Sequence, residues 1–247
     1  MICNEQNQKF TIDTFFDGRV IIKQSRRGYR FSVDAVLLAA SVQPKPKDTI
    51  VDLGTGCGII PLILAYHHPE TRIFGVEVQK ELAVLAQENI ATNGMEDRIK
   101  IFQLDMKKLS INMLPKTVDL VVSNPPYRKA HSGRINPNQQ RARARHEISI
   151  TLADLIHTAR KILRKSGRFM MVYPIDRLAD VVAALRSGNL EPKFIRNIHS
   201  YRDTDAKLVL VEAVKDGRPS LKAAPPLYIY EPDNTYTEEV QDMFHCL

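Results

Sequence analysis

Asn124, Pro125, Pro126 and Tyr127 follow Ser123, which directly succeeds the mainly apolar run Val118–Val122. Two adjacent prolines fix the backbone and remove two N–H donors. The Asn124 side-chain oxygen and the Pro125 carbonyl can then face a pocket as acceptors. Together they can take both hydrogens of a planar amino or amide nitrogen, a poor nucleophile because its lone pair is delocalised. Holding those hydrogens orients the nitrogen and lets charge develop as it attacks an electrophile in line. The Tyr127 ring can stack on a planar substrate, as a base turned out of its stack requires. These four residues form the candidate catalytic loop.

A second cluster is Val51-Asp52-Leu53-Gly54-Thr55-Gly56-Cys57-Gly58, a strand end, a glycine turn and a helix start. Glycines let a ligand approach the backbone, and the helix N-terminus offers free N–H groups. The turn begins like a dinucleotide fingerprint, but Ile59 stands where the third glycine would be. Asp52 would also repel a phosphate. It suits a cation, such as an ammonium or a sulfonium. Glu77 ends the next strand, where a carboxylate can accept both hydroxyl hydrogens of a ribose. Asp105 closes the third strand and is placed to accept from an adenine amino group. Three acids at three successive strand ends form a more specific pattern than any one of them.

This pattern, over roughly Ile50 to Ala213, resembles the class I S-adenosylmethionine-dependent methyltransferases. The resemblance implies S-adenosyl-L-methionine as cofactor. It implies that Asp52, Gly54, Thr55 and Gly56 bound its methionine end, that Glu77 holds the ribose, that Asp105 and Met106 line the adenine, and that Val78 belongs to the same cofactor site. The stretch Gly28-Tyr29-Arg30-Phe31-Ser32-Val33-Asp34 looks like the segment that lids the cofactor's methionine in the branch acting on amino nitrogens, which adds Arg30, Phe31 and Asp34 to the candidate cofactor site. In the same resemblance Asn124 serves both cofactor pocket and catalysis. The Asn-Pro-Pro-Tyr motif is shared by adenine-N6, cytosine-N4 and glutamine-N5 methyltransferases, so it fixes the nitrogen chemistry and leaves the substrate open.

Residues 128–146 bear on that choice. They include Arg128, Lys129, His131, Arg134, Arg141, Arg143, Arg145 and His146, with no Asp or Glu. The six Arg and Lys side chains are candidate contacts to an RNA backbone. Lys193, Arg196, His199, Arg202 and Lys207 follow in the late elements. The whole chain resembles the bacterial tRNA(Val) adenine-N6 methyltransferases, which modify the adenosine immediately 3′ of the anticodon. The matching residues are Arg30-Phe31-Ser32-Val33-Asp34-Ala35, Asp52 to Gly58, Asn124 to Tyr127, Arg145-His146-Glu147 and Val211-Glu212-Ala213. The alternatives are a glutamine-N5 methyltransferase acting on a protein such as a release factor, and a basic RNA-binding protein without catalysis.

The elements that must position these residues are legible in the periodicity. Residues 12–23 alternate around Asp17-Gly18, a hairpin signal, with Ile12, Phe15, Val20 and Ile22 expected to face one small core. A helix over Ala35–Val42 ends before Pro44 and Pro46. From Asp48 strands and helices alternate: strands at Ile50–Leu53, Arg72–Glu77, Ile99–Leu104, Val118–Ser123 and Arg168–Tyr173, and helices at Ile59–His67, Lys80–Asn93, Leu152–Leu163 and Asp176–Leu185. The pair Phe194–His199 and Ala206–Ala213 is joined by a loop short enough for an antiparallel hairpin. The expected architecture is α/β: a Rossmann-like, seven-stranded, mainly parallel sheet with one antiparallel strand and helices on both faces. The expected divisions are an N-terminal hairpin and helix packing on the cofactor site (1–47), the methyltransferase domain (48–214) and a C-terminal extension (215–247) with a short helix over Thr237–Phe244.

The chain has 247 residues, 44% hydrophobic and 26% charged, enough for one large core. The formal net charge of +7 favours a polyanionic partner such as tRNA. Cys3, Cys57 and Cys246 are odd in number and far apart, which suggests free thiols in a reducing compartment and no metal site. The start lacks the apolar core of a signal peptide, and no run approaches a membrane span. A cytoplasmic monomer without metal or membrane partner is expected.

Overall fold

A computed structural model describes residues 10–26, 30–114, 117–126 and 150–245 of the chain. β1 (Phe10–Phe15) and β2 (Val20–Ser25) form an antiparallel hairpin. Val20 and Ile22 are fully buried, and Phe15 nearly so. Ile12 departs from expectation: it is 71% exposed. Side chains on a strand alternate faces, so Ile12 and Phe15, three residues apart, cannot share one. Ile12 stands opposite Lys23 on the outer face, and the inner position opposite Ile22 belongs to Asp13.

α1 (Val33–Ser41) leads into β3 (Thr49–Leu53), which is buried at every position. α2 (Ile59–His67), β4 (Arg72–Glu77), α3 (Lys80–Thr92), β5 (Ile99–Gln103) and β6 (Val118–Ser123) follow. α4 (Leu152–Ile162) opens with a reciprocal capping box between Thr151 and Asp154. β7 (Leu163–Pro174), α5 (Leu178–Ser187), β8 (Leu190–His199) and β9 (Ala206–Lys215) complete the main elements. β10 (Lys222–Ala223), β11 (Leu227–Tyr228) and α6 (Glu238–His245) end the described chain.

The sheet runs β10-β8-β9-β7-β6-β3-β4-β5, with β11 also beside β8. β9 alone opposes the others, wedged between β7 and β8. The seven expected strands are all present. The two-residue strands β10 and β11 extend the edge parallel to β8 and bring the count among the described residues to nine. β7 begins at Leu163 rather than Arg168, because Leu163 pairs with Val118 across an irregularity in the ladder.

Alternation along the strands splits the core in two. Ile50, Leu120, Val122, Met170 and Val172 pack on one face with α1, α2, α6 and the hairpin. Val51, Val121, Phe169 and Met171 pack on the other with α4 and α5. The C-terminal segment closes back on the N-terminal hairpin: Phe244 stacks on Phe15 at 5.8 Å and on Tyr236 at 5.0 Å, and Val240 is fully buried. Among the described residues no helix is long and apolar enough to cross a membrane.

Candidate active site

The strand order β6-β3-β4-β5 sets four of the candidate residues in a row. Asn124 follows β6, Gly54 follows β3, Glu77 ends β4 and Asp105 lies just past β5. All four strands are parallel, so these groups share the C-terminal edge of the sheet. At the usual strand spacing the row spans about 15 Å.

The glycine turn is held by backbone bonds that need its glycines. The N–H groups of Gly54 and Thr55 both donate to the Val76 carbonyl, at 2.9 and 3.1 Å. That geometry puts Gly54 at φ +83°, in the left-handed region. Gly75 serves by close approach: a Cβ there would lie 2.9 Å from the Thr55 side chain. Glu77 then locks the turn from the neighbouring strand. Its Oε2 accepts from the Gly56 N–H at 3.0 Å, and Oε1 from the Gln79 N–H at 2.8 Å. Burial raises the Glu77 carboxyl above its ordinary range, while these N–H donors hold it down. Each oxygen keeps lone-pair capacity for a further donor.

Asp52 is the anomaly of the site. It is completely buried, and among the described residues neither carboxylate oxygen has a hydrogen-bond partner. Burial pushes its pKa up to about 7; the nearby Thr55 hydroxyl offsets part of this, and the Glu77 charge adds to it. Thr55 Oγ1 is itself buried and makes no hydrogen bond of good geometry. A buried ionisable group without donors is costly, and a cationic N–H donor removes that cost. Two acceptor oxygens and a hydroxyl beside a glycine turn fit the ammonium end of S-adenosylmethionine.

Ser123, fully buried at the end of β6, donates its hydroxyl to the Leu53 carbonyl at 2.7 Å. Leu53 immediately precedes Gly54, so this bond pins the Asn124 loop beside the glycine turn. Asn124 and Pro125 are half-buried and Pro126 is exposed. Asp105 caps a short 3-10 turn by accepting from the Lys107 N–H at 3.0 Å, and Met106 is buried beneath it. Val78 is half-buried directly after Glu77. Asp34 lies in the first turn of α1. Phe31 packs on Phe15 at 5.7 Å, and Arg30 bonds Thr11 and pairs with Asp13 at 3.5 Å. Tyr127, Arg128, Lys129, Arg134, Arg141, Arg143 and Arg145 lie outside the described residues, as do Cys3 and Cys246. Cys57 is a buried free thiol, pushed up to about 12 by burial.

The sequence reading missed Ser123 and Asn89 as parts of this site. Asn89 is 1% exposed and donates to the Cys57 carbonyl at 2.9 Å, inside the glycine turn. The available signal was an amide interrupting the apolar face Leu82, Leu85, Ala86, Ile90 of α3. A cavity of about 230 Å³ between Pro44 and Thr71 lies at the opposite ends of the strands and contains none of these groups. Among the described residues no cluster of His, Cys, Asp and Glu could hold a metal ion.

Residues 30–180 match the model of the methyltransferase small domain family. A tRNA1(Val) (adenine(37)-N6)-methyltransferase of Porphyromonas gingivalis is 34% identical over 206 residues, covering 81% of this chain and 80% of that protein. A protein of the same name from Tolumonas auensis is 27% identical over 219 residues, covering 88% of this chain and 89% of its own length. Among solved structures, a predicted O-methyltransferase from Agrobacterium tumefaciens superposes with a TM-score of 0.68 at 24% identity, covering 87% of this chain and 98% of that one. A SAM-dependent O-methyltransferase from Thermotoga maritima gives 0.55 at 20% identity, covering 79% and 69%. At these identities the structural likeness speaks for the fold.

Proposed function

The chain belongs to the methyltransferase small domain family, and from that premise we propose that it methylates N6 of the adenosine immediately 3′ of the anticodon in tRNA(Val). The protein is an S-adenosylmethionine-dependent N-methyltransferase of tRNA. Substrate and position follow from relatives of this name that match about four-fifths of the chain. The observation that carries the site is the buried, unpartnered Asp52 carboxylate beside the glycine turn, one strand away from Asn124.

Asp52, Thr55 and the turn at Gly54 and Gly56 hold the methionine end of the cofactor. Glu77 and Val78 take the ribose, Asp105 and Met106 the adenine, and Arg30, Phe31 and Asp34 cover the methionine. The bound cofactor supplies an electrophilic sulfonium methyl. The Asn124 side-chain oxygen and the Pro125 carbonyl accept the two N6 hydrogens of the target adenosine, which aligns the nitrogen and stabilises the charge it gains. Pro126 stiffens the loop and Tyr127 stacks on the base. The residues Arg128, Lys129, Arg134, Arg141, Arg143 and Arg145 neutralise phosphates around it. The protein works in the cytoplasm, where its tRNA substrate is found.

Mass spectrometry of tRNA nucleosides after incubation with S-adenosylmethionine tests this directly. N6-methyladenosine in tRNA(Val), mapped to the position 3′ of the anticodon, is expected. Label appearing in a glutamine side chain of a protein, with none in RNA, would overturn the substrate assignment.

A further inference from the structure

We infer that Asn89 is a positioning residue that couples cofactor occupancy at the glycine turn to docking of the N-terminal hairpin. The inference rests on the cofactor reading above and extends it to residues outside the pocket.

A two-stranded hairpin leaves one edge of each strand unpaired. Here the open edge of β2 is closed by side chains of α3. Asn93 accepts from the Ile21 N–H at 2.8 Å and donates to the Ile21 carbonyl at 2.7 Å. One helical turn earlier, Asn89 accepts from the Lys23 N–H at 2.9 Å and donates to the Lys23 carbonyl at 3.0 Å. Spacing of four residues puts both amides on one face, and alternate residues of β2 present their backbone groups on one edge. Each amide therefore acts as a peptide group of a missing strand.

Asn89 differs from Asn93 in where its second amide hydrogen goes. Asn93 gives that hydrogen to the Asn89 backbone carbonyl at 2.7 Å, within its own helix, whereas Asn89 donates it to the Cys57 carbonyl. The adjoining residue, Gly56, is held by Glu77. The turn is thus fixed from β4 on one side and from the hairpin, through Asn89, on the other. The hairpin in turn carries the segment entering α1: Gln24, 2% exposed, accepts from the Phe31 N–H at 3.1 Å. Ligand that orders the turn orders the Asn89 amide, and with it the Lys23 edge. By reciprocity, a docked hairpin raises cofactor affinity.

The test is hydrogen exchange of the Ile21 and Lys23 amides in the full chain, with and without S-adenosylhomocysteine, alongside calorimetric binding. In the wild type, saturating ligand slows exchange of the Lys23 amide about tenfold. Asn93→Ala speeds exchange at Ile21 but keeps the ligand-induced slowing at Lys23. Asn89→Ala loses that slowing and binds the ligand about tenfold more weakly. Wild-type protein that binds the ligand with no change at Lys23 overturns the coupling, even if Asn89→Ala does not fold. Slowing that persists in Asn89→Ala overturns it too. Wild-type protein that binds no ligand overturns the cofactor reading itself, and the inference with it.

Discussion

Asp52→Asn separates two demands that meet in one residue. In the fold the Asp52 carboxyl moves from its ordinary 3.8 to about 7, chiefly through burial. Between those values the folded protein binds more protons than the unfolded chain, so stability falls as pH rises through that window. Above it, keeping the carboxylate ionised costs the unliganded fold on the order of 4 kcal/mol. An amide at this position carries no charge but leaves its own polar atoms unpaired, at about 1–3 kcal/mol. The variant should therefore be more stable than the wild type by about 1–3 kcal/mol at pH 8, with the gain gone at pH 5. Urea denaturation at both pH values measures this. Cofactor binding should move the other way. Loss of a charge-assisted hydrogen bond to the ammonium weakens S-adenosylhomocysteine binding by about 10- to 100-fold. The wild type should also release up to one proton on binding at pH 6, read by calorimetry in buffers of different ionisation heat. A variant that is less stable at pH 8 and binds the ligand normally would refute the account of Asp52 as the cation's partner.

Asn124→Ala removes the proposed acceptor for the target nitrogen and should lower single-turnover methylation by about 100-fold or more, with cofactor affinity largely retained; near-normal turnover would exclude the catalytic assignment. Ser123→Ala leaves the buried Leu53 carbonyl without its donor and should destabilise by about 1–3 kcal/mol in urea, with a fall in kcat as the loop shifts. Neutralising Arg141, Arg143 and Arg145 together should reduce the slope of log affinity against log salt for tRNA by about 2, while an unchanged slope would remove them from the RNA contact. Deleting residues 237–247 strips Val240, Met243 and Phe244 from the hairpin and α1. Unfolding free energy should drop by about 4 kcal/mol or more, and an unaltered denaturation midpoint would show that α6 contributes nothing.

The sequence alone determined whatever depends on near neighbours along the chain. The bounds of α2 at Ile59–His67, β4 at Arg72–Glu77 and β6 at Val118–Ser123 match the periodicity residue for residue, because side-chain spacing within one element decides which face is apolar. The glycine turn and the proline loop were legible for the same reason: their backbone constraints are local. Even the antiparallel β8–β9 pair followed from a loop too short for a crossover. Tertiary structure decided what depends on contacts between distant segments. β10 and β11 are two residues each and exist only because β8 offers an edge to pair with. The packing of α6 on the hairpin joins the two ends of the described chain. The clasp of Asn89 and Asn93 on β2 spans 66 and 72 positions, so no window of sequence contains both partners. The raised pKa of Asp52 is the clearest case. Its position before a glycine marked it as an acid near a ligand, but only the packed sheet buries its carboxylate completely, and that desolvation is a property of the whole fold.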